Sequence, residues 1–97
     1  MEKEYEYNEY IKSLSYVKRS KNRIAVVKSI GTSMKIPSDI ASEMNLRINQ
    51  ISAILSDLKK EEICVCINED EKVGRLYQLT PKGLEVYEFL KEMEKHS

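Results

Sequence analysis

Residues 36–58 read Ile36-Pro37-Ser38-Asp39-Ile40-Ala41-Ser42-Glu43-Met44-Asn45-Leu46-Arg47-Ile48-Asn49-Gln50-Ile51-Ser52-Ala53-Ile54-Leu55-Ser56-Asp57-Leu58, two helical signals parted by a turn. Pro37 suits the first turn of a helix, where its missing N–H removes no bond, and Asp39 complements the positive end of the dipole. A short helix is predicted from Pro37 to Met44. Asn45 tolerates the left-handed backbone that a sharp helix stop requires. After it, Ile48, Ile51, Ile54, Leu55 and Leu58 recur at helical spacing through to about Lys60. Small Ala41 lets the two helix backbones approach, and β-branched Ile51 fills the angle between them.

Downstream the period changes. Ile63, Val65 and Ile67 alternate with Cys64 and Cys66, and Arg75 to Leu79 alternates again beyond a polar loop over residues 68–74, so the two runs pair as an antiparallel hairpin. Thr80-Pro81 supplies an N-cap oxygen and a first-turn proline for a last helix through Leu84, Tyr87, Leu90 and Met93. Upstream, Tyr7, Tyr10, Ile11, Leu14 and Val17 form one amphipathic stripe. Ile24, Val27 and Ile30 form another, which Gly31 stops. Four helices, two strands and a helix describe a mainly α fold with a two-stranded antiparallel wing, a winged helix-turn-helix with extra N- and C-terminal helices.

With 97 residues, one domain is expected over residues 1–97, its core at about 16–80 and its terminal helices at about 5–17 and 81–95. A 41% hydrophobic and 33% charged composition is that of a soluble globule. No run is apolar enough for a bilayer and Met1 is followed by acidic residues rather than a secretory signal, so a cytoplasmic location is expected, with no membrane partner. The lone His96, with no acid pair, activated nucleophile or glycine-rich phosphate loop, argues against an enzyme.

Sixteen basic and sixteen acidic residues cancel, but they are segregated. Residues 11–38 carry Lys12, Lys18, Arg19, Lys21, Arg23, Lys28 and Lys35 with no acid. Residues 61–71 carry Glu61, Glu62, Glu69, Asp70 and Glu71 with no base. Such a chain has a polar field despite its zero total.

The segments Ile36 to Ala41, Leu46 to Leu58, and above all Leu76-Tyr77-Gln78-Leu79-Thr80-Pro81-Lys82-Gly83 resemble the small winged-helix transcriptional regulators common in archaea, and are similar to the MarR-like and ArsR-like groups. The resemblance covers about residues 16–90. It implies that the start of the helix-turn-helix lies near the DNA backbone, where Lys35 and Ser38 match and would hold a phosphate with help from the helix dipole. The wing departs from the family pattern. Its acids would repel phosphate, so backbone contact is expected from Arg75 and Lys72 at its base, with the acidic tip held clear of the duplex.

If Ile51, Leu55 and Leu58 face the core, the helix at about 46–60 turns Arg47, Ile48, Asn49, Gln50, Ser52, Ala53 and Ser56 outward, a face that fits a major groove. Asn49 or Gln50 can pair with adenine, Arg47 can reach guanine or a phosphate, and Ser52 can meet a base edge or the backbone. The expected DNA-binding set is therefore Lys35, Ser38, Arg47, Asn49, Gln50, Ser52, Ala53, Ser56, Lys72 and Arg75.

Cys64-Val65-Cys66 is similar to the Cys-Val-Cys of metal-sensing ArsR-like repressors, but here it lies in a strand, and no third cysteine or internal histidine completes a tetrahedron. Partly buried thiols are expected, with no metal and no cofactor. Tyr7, Tyr10, Ile11 and Leu14 on the first helix, and Leu84, Tyr87, Leu90 and Met93 on the last, exceed what one small core can cover. A homodimer interface is expected there, with packing inside the domain as its alternative. The predicted function is sequence-specific binding of double-stranded DNA as a transcriptional regulator, as a dimer on an inverted repeat. The competing reading is a winged-helix protein-interaction module. No effector pocket is legible.

Overall fold

In the computed structural model, which describes residues 6–95, the chain runs α1 (Tyr7–Lys18), α2 (Lys21–Ile30), α3 (Pro37–Met44), α4 (Ile48–Lys60), β1 (Cys64–Cys66), β2 (Tyr77–Leu79) and α5 (Pro81–Lys95). Each helix stops where the local chemistry requires it. The joint between α1 and α2 is closed by Ser20, whose hydroxyl accepts the Arg23 N–H at 3.3 Å. Gly31 ends α2 at φ +53°, and a side chain there would press on the Tyr87 ring. Asn45 ends α3 at φ 56° and ψ 44°, the left-handed stop expected of it. Tyr5 and His96 lie outside the described residues.

The buried side chains of Val26, Val27 and Ile30 on α2, Ile40 on α3, and Ile51, Leu55 and Leu58 on α4 meet in one core. Val17 from α1 and Val86 from α5 close it. The fold is a mainly helical winged helix-turn-helix.

The wing is an antiparallel pair with Cys64 opposite Leu79, Val65 opposite Gln78 and Cys66 opposite Tyr77. A third segment joins it, because Lys35 and Tyr77 exchange backbone hydrogen bonds of 3.0 and 2.8 Å. The loop before α3 is thereby tied to the wing. The cysteine face of β1 turns inward, with Cys64 buried and Cys66 half-buried, while Val65 and Ile67 are exposed.

The junction Thr80 to Gly83 clasps the end of α4. The Thr80 N–H donates to the Ile63 carbonyl at 3.0 Å, its hydroxyl donates to Glu62 O at 2.7 Å, and the buried Lys82 ammonium donates to Glu61 O at 3.0 Å. The same Thr80 oxygen accepts the Gly83 N–H at 3.0 Å and so caps α5. Any Cβ at Gly83 would collide with the Ile63 carbonyl oxygen. The carbonyls of the three residues that follow α4 are thus satisfied by the start of α5.

Candidate nucleic-acid interface

The inward stripe of α4 leaves Asn49, Gln50, Ser52, Ala53 and Ser56 exposed, as helical spacing requires once Ile51, Leu55 and Leu58 are buried. Ile48, Ser52, Ser56 and Lys59 lie on one strip of this face. They form one wall of a groove of about 620 Å³ whose opposite wall is Lys72, Val73, Gly74 and Arg75 of the wing. Ile36, Pro37 and Ser38 at the start of α3, with Tyr77, complete it. Asn49 and Ala53 occupy the adjoining strip.

Of the expected DNA-binding residues, the groove brings together Ser38, Ser52, Ser56, Lys72 and Arg75. The others are placed differently. Arg47 is the N-cap residue of α4, and its backbone N–H donates to the Gln50 side-chain oxygen at 3.2 Å. Gln50 therefore caps its own helix with the acceptor that adenine pairing would use, leaving its amide protons outward. Asn49 carries no such bond and is the better placed of the two amides.

The basic side chains are engaged within the chain to different degrees. Lys35 donates to both carboxylate oxygens of Glu43, at 2.8 and 2.7 Å, and Glu43 also accepts the Ser29 hydroxyl at 3.0 Å. These hydrogen bonds, from Lys35 first and Ser29 second, hold the Glu43 carboxyl below the usual carboxylate range. Arg75 donates from Nε to Glu71 O at 2.7 Å and from Nη2 to Glu69 O at 3.3 Å, fastening the wing loop. Asn68 reinforces the loop, accepting the Leu76 N–H at 2.7 Å and donating to Gly74 O at 3.1 Å. Arg23 stacks on the Tyr16 ring at 3.8 Å and donates to Tyr16 O at 2.8 Å. Lys18 lies 5.6 Å from the Phe89 ring centre.

Two features of the wing escaped sequence reasoning. Lys59 lines the groove and is bonded to Glu69, so the first acid of the wing loop is drawn toward α4. Val73, in the same loop, is 87% exposed. A basic residue near the end of α4 opposite an acidic loop was the available signal.

On the terminal helices, Leu14 and Leu90 are buried in the chain's own core, and Tyr10, Leu84 and Tyr87 are partly buried against it. Among the residues expected at a dimer interface, Tyr7, Ile11 and Met93 remain exposed, and Phe89 joins them. The amphipathic stripe marks a face to be covered without saying by what. Among the described residues, no group of three or more His, Cys, Asp or Glu side chains is arranged to hold a metal, and no helix is long and apolar enough to cross a membrane.

No family model matches the sequence, and no curated protein does. Solved structures do match in fold. A double mutant of ZitR from Lactococcus lactis superposes with a TM-score of 0.68 at 18% identity, over 78% of this chain and 53% of that one. The multiple antibiotic-resistance repressor MarR from Listeria monocytogenes gives 0.68 at 13% identity, over 92% and 63%. FabT from Streptococcus pneumoniae, solved in complex with DNA, gives 0.68 at 16%, over 92% and 68%. This chain spans only about half to two-thirds of those chains. At such identities the likeness is one of architecture, and the architecture is the winged helix-turn-helix found in MarR.

Proposed function

We propose that the chain is a sequence-specific regulator that binds double-stranded DNA, with α4 in the major groove. The observation that carries the reading is the exposed, mostly neutral polar face of α4 beside a groove lined by Lys59, Lys72 and Arg75. A helix fits the major groove of about 12 Å, and cations beside it neutralise phosphates. Asn49 and Ser52 would read base edges, Ser38, Ser56 and Lys72 would hold the backbone, and Arg47 and Lys35 would contribute from the margins. FabT, bound to DNA in its solved structure, supports the reading by its fold. In this role the protein would occupy a promoter and so exclude or recruit polymerase.

The exposed Tyr7, Ile11, Phe89 and Met93 support a two-fold dimer through α1 and α5. Paired α4 helices would then sit about 34 Å apart, one turn of an inverted repeat. Specific observations favour a second reading, a protein-interaction module: Lys35 and Lys59 are each neutralised by a carboxylate of the chain itself.

Selection from a random duplex pool, followed by titration of the selected site at graded salt, tests the proposal. A regulator shows saturable binding whose log–log salt slope is about −0.9 per phosphate contact. Binding equally weak on selected and random duplex would rule out sequence reading. Asn49→Ala should relax sequence choice more than Gln50→Ala, since part of Gln50 is committed to its helix.

A further inference from the structure

On the reading that α4 enters the major groove, we infer that Ile48 is a specificity-determining residue that recognises the C5-methyl group of a thymine. Ile48 is the first residue of α4, at the end of a recognition helix that approaches base edges most closely. It is a large β-branched side chain left 52% exposed, although Leu46 and Ile51 on either side are drawn to the core.

Its surroundings distinguish it from an apolar residue scattered on a surface. Ile48 shares one strip of α4 with Ser52 and Ser56, and it lines a groove that also holds Lys59, Lys72 and Arg75. Cations and small hydroxyls there stand beside Ile36, Pro37, Val73 and Tyr77, and Ile48 is the apolar group that the exposed face of α4 itself contributes.

In the major groove each base pair presents donors and acceptors, and thymine alone among the four bases adds an apolar group. An isoleucine pressed on any other edge would strip water from polar atoms and return no hydrogen bond. Against a thymine methyl it buries apolar surface on both sides. Burying one methyl is worth about a four-fold change in affinity. Ile48 would thus select for thymine by what it rejects as well as by what it contacts.

The test uses the full chain and duplexes selected from a random pool, with each thymine of the selected site replaced in turn by deoxyuridine. That exchange removes the methyl and leaves every hydrogen-bonding group in place. The expected result is a loss of about four-fold at one position of the site for the native chain, with Ile48→Ala binding the thymine and deoxyuridine duplexes equally. Ile48 is half exposed, so the variant should fold, which its melting temperature checks. A native chain indifferent to every exchange, or an Ile48→Ala variant with undiminished methyl dependence, would overturn the inference while leaving DNA reading intact. Absence of any saturable duplex binding would overturn both.

Discussion

The ammonium of Lys59, near the end of α4, is bonded to the carboxylate of Glu69 on the first limb of the wing. Lys59 lines the groove and Glu69 belongs to the wing loop, so the pair ties together the two elements proposed to embrace a phosphate strand. It also explains how a wing with three successive acids is compatible with a polyanion nearby, since one of them faces a lysine. The Lys59 contact holds the Glu69 carboxyl below the usual range, so the pair is charged at neutral pH. Glu69 and a phosphate would compete for the same cation.

Glu69→Gln should therefore strengthen binding to every duplex alike. Releasing Lys59 to a phosphate adds one contact, so the log–log salt slope should steepen by about 0.9. Affinities at four or five salt concentrations measure it. A slope that stays put would mean that Lys59 serves only to anchor the wing.

Gly83→Ala should destabilise the fold by about 2–3 kcal/mol, toward the upper part of the range for overpacked sites. The added methyl meets a carbonyl oxygen in backbone that is itself fixed by Thr80, and no flexible side chain can yield. Denaturant midpoints of the two proteins give the difference. Domains of this size have only about 5–15 kcal/mol in all, so the shift should be large.

How far the fold was legible depended on whether a signal was local. Pro37, Asn45, Gly31 and Thr80 act on their own backbone, and each ends or begins a helix where its chemistry indicated. The outward face of α4 followed from periodicity alone. The partly buried thiols expected of β1 are found, because a buried thiol behaves as a small hydrophobe, and it is Val65 and Ile67 that stay exposed. Pairing of Lys35 with Tyr77 involves single residues and leaves no periodic trace. The same holds for the charge partners: Glu43 for Lys35 and Glu69 for Lys59 are set by how distant segments meet, which no spacing rule encodes.

The two cysteines should differ sharply in reactivity. Burial pushes the Cys64 thiol up to about 12, so it stays protonated and shielded at pH 8. Cys66 is only half-buried, with its sulfur near Asn68 Oδ1 at 3.6 Å. Brief alkylation of the native protein should label Cys66 alone, and both should react in denaturant. Equal labelling of the two in the folded state would place Cys64 nearer solvent than its packing against Leu55 indicates.

Acid should act through Glu43. Its carboxyl is held below the ordinary carboxylate range, so its contribution to stability is present above the unfolded carboxylate value and is lost as pH falls through the lower, folded one. Glu43→Gln should flatten the acid limb of the stability profile across that window. Glu43 is exposed, so the pair is screened by salt, and the flattening should shrink at high ionic strength.

Arg75 combines two roles that a pair of substitutions separates. Its Nε and Nη2 hydrogen-bond the carbonyls of Glu71 and Glu69, while a guanidinium has five N–H groups, so donors remain for a phosphate across the groove. Arg75→Ala should weaken cognate and random duplexes alike, make the salt slope shallower by about 0.9, and speed hydrogen exchange in the loop over residues 69–75. Arg75→Lys keeps the charge but lacks the planar fork that bonds two carbonyls together. It should recover most of the salt slope and little of the exchange protection. If the lysine variant restored protection without restoring the slope, the loop would owe its order to charge, and the phosphate contact would belong to another residue, with Lys72 the nearest candidate.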